Sequence, residues 1–176
     1  THSTRRSRMA HPVLRAGMVG MGMIFDETYR PFFERAHLAG VYDRRFGDVD
    51  VPLAAVASRT GSRAEKYRAE AGNAIGPFQN FSGNDCVTKL LAAGVDFACV
   101  ATPDNRHFEG AKQILEAGVH LLIEKPSVLT LQELDELVAL SDRVQVLYEG
   151  QLLGNWKRPQ FPMGEIGAAM MGTFVS

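Results

Sequence analysis

Leu14-Arg15-Ala16-Gly17-Met18-Val19-Gly20-Met21-Gly22-Met23-Ile24-Phe25 carries a short apolar run straight into a glycine-rich corner. The nearly continuous apolar character from Leu14 to Val19 suits a strand buried on both faces, as in a parallel sheet. Gly20 and Gly22 can take positive φ and bring bare backbone N–H groups close to a ligand, which a pyrophosphate requires at a strand-to-helix corner. With the following amides of Met23 and Ile24 they form a candidate phosphate cradle. The third glycine of a G-x-G-x-x-G fingerprint is absent, and Phe25 stands in its place. The close helix-strand approach that glycine permits must therefore be made differently here. The same glycines would also serve an ordinary tight turn.

Outward from that corner, the pattern delays the next helix until Pro31, with Phe32, Phe33, Ala36 and Leu38 as its apolar face and Gly40 as its stop. Val41 to Asp50 reads as a surface excursion before a second strand, Leu53 to Ala57. At the end of that strand Ser58-Arg59-Thr60-Gly61-Ser62-Arg63 replaces the acidic residue that grips a free ribose 2′-hydroxyl. Arginines and hydroxyls suit a 2′-phosphate, so Ser58, Arg59, Thr60 and Arg63 favour NADP, with NAD the alternative. The competing reading is a set of solvated residues capping a helix from Ser62 to Ala71.

The alternation continues with a short strand from Phe78 to Phe81 and a helix from Asp85 to Ala93 bearing Val87, Leu90 and Leu91. A central strand, Val95 to Ala101, leaves the sheet at Thr102-Pro103-Asp104-Asn105-Arg106-His107, where proline forces the chain outward. After a helix carrying Ala111, Ile114 and Leu115, the strand His120 to Ile123 ends in Glu124-Lys125-Pro126, an X-Pro corner with an elevated chance of a cis bond. Thr130 and Glu133 form a capping box for a helix whose Leu131, Leu134, Leu137, Val138 and Leu140 make its core face. Val144 to Tyr148 is expected as a sixth strand. Strand and helix alternate from Leu14 to Tyr148, which calls for an α/β, doubly wound parallel sheet of the Rossmann type. The expected division is a tail over 1–12, a dinucleotide-binding domain over 13–148, and over 149–176 a linker with the start of a truncated α+β domain.

Composition narrows the function classes. A formal net charge of −1 provides no single-sign field for nucleic acid or an anionic membrane. No apolar run approaches the ~18 residues of a membrane span. Arg5, Arg6 and Arg8 raise an export signal, but no apolar stretch follows them, so they read as a tail with Met9 a candidate start. Cys86 and Cys99 are isolated and the histidines lack metal-ligand spacing, so neither a disulfide framework nor a metal site is expected, and the cytoplasm is the default compartment.

Gly20-Met21-Gly22, Ala101-Thr102-Pro103-Asp104-Asn105-Arg106-His107 and Glu124-Lys125-Pro126, at these separations, resemble the N-terminal half of the glucose-fructose oxidoreductase / inositol dehydrogenase (Gfo/Idh/MocA) family. The resemblance implies hydride transfer between NAD(P) and a carbinol of a sugar or polyol-like substrate, with Lys125 near the nicotinamide ribose and the substrate hydroxyl as the catalytic candidate. It also implies that Thr102, Pro103, Asn105 and His107 border the nicotinamide, that Glu124 holds the corner, and that histidine and aspartate proton-transfer groups come from a second domain. Gly164-Glu165-Ile166-Gly167 and Ala168 to Val175 look like the start of that domain, the latter as a strand whose open edge would drive homo-oligomerisation. A non-catalytic NADP(H)-binding module is the alternative, and an S-adenosylmethionine methyltransferase, which also uses a glycine turn but lacks here its usual acidic residue at the second strand's end, ranks last.

Overall fold

The computed structural model describes residues 11–173. The arginines at 5, 6 and 8, Met9, and the last residues of the expected terminal strand lie outside the described part. The chain is paired from Pro12 onward: Asp50 N–H donates to the Pro12 carbonyl and Leu14 N–H to the Asp50 carbonyl, both at 2.9 Å.

Five strands, β1 (Ala16–Val19), β4 (Leu53–Ser58), β5 (Gln79–Ser82), β6 (Phe97–Val100) and β7 (His120–Ile123), form one parallel sheet in the order β5-β4-β1-β6-β7. The excursion between β1 and β4 contains a small antiparallel pair, β2 (Val41–Asp43) and β3 (Gly47–Val49). Alternation along the strands sorts the core into two layers. Ala16, Met18, Val56 and Cys99 face α1 (Arg30–Ala39) and α2 (Ser62–Ala71), where Phe33, Ala64 and Tyr67 meet them. Val19, Ala57, Ala98 and Val100 face α3 (Cys86–Ala92) and α4 (His107–Glu116), where Leu90 and Ile114 fill the opposite layer. This is the expected doubly wound Rossmann architecture.

The start of the first helix departs from expectation. Helical backbone begins at Met23, directly after Gly22, and Phe25–Tyr29 forms a wide π-type turn that runs into α1. The cause is Phe25 itself. Its ring is fully buried and sits edge-on to Tyr67 at 6.1 Å, where a glycine would have let the helix lie against the strand. Widening the turn makes room for the ring. Starting the helix late also misjudged its faces: Phe33 and Ala36 are buried, whereas Phe32 and Leu38 are 43% and 87% exposed.

The C-terminal part differs more. In α5 (Leu131–Leu140) the capping box forms, with Glu133 N–H donating to Thr130 Oγ1 at 3.2 Å, but only Leu137 is buried and Leu131 faces solvent. The expected sixth parallel strand is instead β8 (Arg143–Tyr148), which turns back at Glu149-Gly150 to pair antiparallel with β9 (Gln151–Lys157). Both turn residues have positive φ, as a two-residue hairpin requires. Glycine takes that conformation freely, and Glu149 signals it poorly in sequence. The strand expected from Ala168 is helical: α6 (Met163–Met170) buries Ile166 and Ala169, three residues apart, so the open edge invoked for self-association is not there among the described residues. No described helix is long and apolar enough to cross a membrane.

Phe25→Ala is expected to cost about 3–5 kcal/mol in chemical denaturation of the full-length protein. Phe25→Gly, which completes the sequence fingerprint, should be less stable still by about 1 kcal/mol. A glycine variant as stable as wild type would contradict the role given to this ring.

Candidate functional site

Parallel strands leave the sheet at one edge, and the corners after β1, β4, β6 and β7 meet there. Gly20 has φ +97° and donates its N–H to the Ala57 carbonyl at 2.9 Å. A Cβ on Gly20 would lie 2.4 Å from the Ala101 carbonyl oxygen and 3.2 Å from Thr102 Cγ2, so the turn after β1 rests directly on the exit of β6. Gly22 differs: a Cβ there would meet nothing within 4 Å. Its openness leaves the first helical amides approachable, Met23 exposed and Ile24 half-buried against the core.

After β4, Ser58 Oγ accepts from Gly61 N–H at 3.1 Å and Thr60 Oγ1 lies 2.8 Å from Ser62 Oγ, so these hydroxyls shape the turn. Arg63 reaches back to the first corner, donating to the Met21 carbonyl at 3.2 Å and lying 3.7 Å from the Asp26 carboxylate. It joins the two corners rather than standing free. Arg59 is exposed and its guanidinium has no hydrogen-bond or ion-pair partner among the described residues. The arginine pair read from sequence thus divides into a brace and an open cation.

After β6, Thr102 is half-buried and its Oγ1 is enclosed without a hydrogen-bond partner among the described residues. Pro103 and Asn105 are exposed. His107 is only 1% exposed, and both its ring nitrogens face backbone carbonyls. Its Nε2 faces the Thr102 carbonyl and its Nδ1 the Pro126 carbonyl, each at 2.7 Å. The ring clamps the exit of β6 to the exit of β7.

Glu124 N–H donates to the Val100 carbonyl at 3.0 Å, and Glu124 Oε1 accepts from the Tyr29 hydroxyl at 2.6 Å. Burial, then the hydrogen bond to Glu124, holds the Tyr29 phenol well above its ordinary range, so it remains the donor. The same burial, with the charge of Glu124 added, pushes the Cys99 thiol up to about 12. The Lys125–Pro126 bond is cis. Lys125 itself is exposed and forms neither the ion pair with Glu124 nor the carbonyl contact that a purely structural lysine would make. Sequence reasoning missed Tyr29, although Phe25, Tyr29 and Phe33 recur at four-residue spacing; the late helix start hid that stripe. Farther along the chain, Trp156 donates from Nε1 to Glu165 Oε2 at 3.0 Å, in an open depression with Lys157, Arg158 and Phe161.

Comparison with known proteins matches this arrangement to relatives. The model of a family described as an oxidoreductase family with an NAD-binding Rossmann fold matches residues 14–150. The chain is 30% identical over 140 residues to UDP-N-acetylglucosamine 3-dehydrogenase of Acidithiobacillus ferrooxidans, covering 79% of this chain and 37% of that protein. It is 26% identical over 132 residues to D-glucoside 3-dehydrogenase of Escherichia coli, covering 75% and 32%. A 3-ketoreductase from Actinomadura kijaniata, solved with NADP, aligns with a TM-score of 0.55 at 26% identity, over 74% of this chain and 35% of that one. The chain spans about a third of the length of the curated relatives it matches.

Two outcomes follow from the geometry. Gly20→Ala should strongly destabilise the full-length protein, whereas Gly22→Ala should stay within about 0.5 kcal/mol of wild type in chemical denaturation. The second concerns pH: the folded chain holds the Cys99 proton more tightly than the unfolded chain, so unfolding releases a proton between the ordinary thiol value of 9.0 and about 12. Stability should fall across that window, less steeply in Cys99→Ala, and an unchanged slope would contradict the burial assigned to the thiol.

Proposed function

We propose that this chain, which belongs to the Gfo/Idh/MocA oxidoreductase family, is the cofactor-binding portion of an NADP-dependent sugar oxidoreductase acting on a ring carbinol. The observation that carries the reading is Lys125, exposed and without a partner among the described residues, on a corner whose neighbours Glu124 and Pro126 are held, at the same sheet edge as the glycine turn. The residues present fit a phosphorylated dinucleotide. The open backbone at Gly22, Met23 and Ile24 suits the pyrophosphate, and Gly20 sets the turn that aims it. Arg59, with the Ser58 and Thr60 hydroxyls beside it, suits a 2′-phosphate. Thr102, Pro103 and Asn105 form the wall toward the nicotinamide, with Pro103 and Asn105 exposed there.

When bound, the nicotinamide ring supplies the hydride acceptor or donor. The ammonium of Lys125 is the group here that would stabilise negative charge developing on the substrate oxygen, or pass its proton. The backbone on either side of Lys125 is held, by the Glu124 N–H on Val100 and by the Pro126 carbonyl against His107. The substrate class, a hexose-type ring oxidised or reduced at its 3-position, rests on the names shared by the matched relatives.

The test uses the full-length protein with NADP+ and NAD+, methyl glucoside and UDP-N-acetylglucosamine. Lys125→Ala should lower kcat about 100-fold and weaken NADPH about tenfold. Arg59→Ala should weaken NADPH about tenfold and leave NADH nearly unchanged. Cofactor binding without turnover of any sugar by wild type would favour the non-catalytic module, and absence of binding would end both readings.

A further inference from the structure

The proposal concerns Tyr29, a residue that cofactor contacts do not require. It lies nine positions after Gly20, in the π-type turn continuous with the helical amides of the glycine corner. Its ring is 6% exposed, and its hydroxyl reaches across the sheet edge to Glu124, 95 positions away in sequence. Three contacts therefore fix the Glu124-Lys125-Pro126 corner: Glu124 N–H on Val100, Glu124 Oε1 on Tyr29, and the Pro126 carbonyl on His107. Lys125 alone is left open.

We propose that Tyr29 is a positioning residue that keeps Lys125 available by occupying Glu124. A carboxylate one residue from a lysine ammonium, once released from its own donor, competes for that ammonium with any anionic ligand, by up to about fivefold, or about 1 kcal/mol, at a surface. Here Glu124 takes a hydroxyl donor from below the sheet edge and leaves the lysine uncovered. Because Tyr29 belongs to the same turn as the phosphate-facing amides, any shift of that turn is transmitted to the Lys125 corner through one hydrogen bond. Removing the hydroxyl frees the carboxylate to swing toward Lys125 and neutralise it. The inference rests on the reading of the crevice as a nicotinamide dinucleotide site.

Adenosine 2′,5′-bisphosphate and NADPH separate the two ends of that crevice in the full-length protein. Tyr29→Phe should weaken NADPH about fivefold, since Glu124 is then free to cover the Lys125 ammonium, and leave bisphosphate affinity within about twofold. The double variant Tyr29→Phe/Glu124→Gln, which removes the competing charge, should recover most of the NADPH affinity, a rescue that a merely structural tyrosine would not give. Glu124→Asp, which draws the carboxylate back from the Tyr29 hydroxyl, should weaken NADPH in the same way, and it covers the case in which the phenylalanine variant does not fold. NADPH affinity unchanged in Tyr29→Phe, equal loss of both ligands, or a double variant no better than the single overturns this proposal alone. A wild-type protein that binds neither ligand overturns the cofactor reading and this inference with it.

Discussion

The rest of the site depends on one close approach, the backbone of Gly20 against the carbonyl of Ala101. Any side chain at Gly20 would place carbon 2.4 Å from that oxygen, so β1 and β6 can sit side by side and still turn out of the sheet together only with glycine there. Hydrogen bonds from Gly20 N–H to Ala57 and from Ala101 N–H to Val19 stitch β4, β1 and β6 at this level. Parallel pairing then delivers every exit to the same edge. The crevice is a consequence of how tightly those ends are gathered.

Around it, polar groups divide into those used by the protein and those left open. Ser58, Thr60, Arg63, His107 and Glu124 each have a side-chain or backbone partner within the protein. Arg59 and Lys125 have no such partner among the described residues. That division carries more functional information than residue type, because an unpaired cation beside an open backbone turn is poised for an anion. Phe25 contributes indirectly: its bulk widens the turn and thereby places Tyr29 under Glu124.

Much of this was legible in the sequence. The apolar runs and glycine stops locate the five strands, and the Thr102-Pro103 and Glu124-Lys125-Pro126 corners mark the exits, because backbone punctuation is local. What stayed hidden is non-local or compensated. Arg63 as a brace, His107 as a clamp and Tyr29 as a donor each need a partner tens of residues away. The wide turn at Phe25–Tyr29 reflects the room a ring needs beside Tyr67, which no periodicity announces. Glu149 with positive φ hides the hairpin that removes β8 from the parallel sheet, and Ile166 with Ala169 shows a helical spacing that the apolar run from Ala168 obscured.

A family that couples nicotinamide dinucleotides to sugar redox chemistry in its named relatives frames these details, and the account's central claim is that the four exits form one NADP site. The structure of the full-length protein soaked with NADP+ tests it most directly. The account predicts the pyrophosphate on the amides after Gly20, the 2′-phosphate against Arg59, and the nicotinamide ribose beside Lys125. A dinucleotide lying elsewhere, or bound here with Arg59 turned away and Lys125 paired to Glu124, would contradict it.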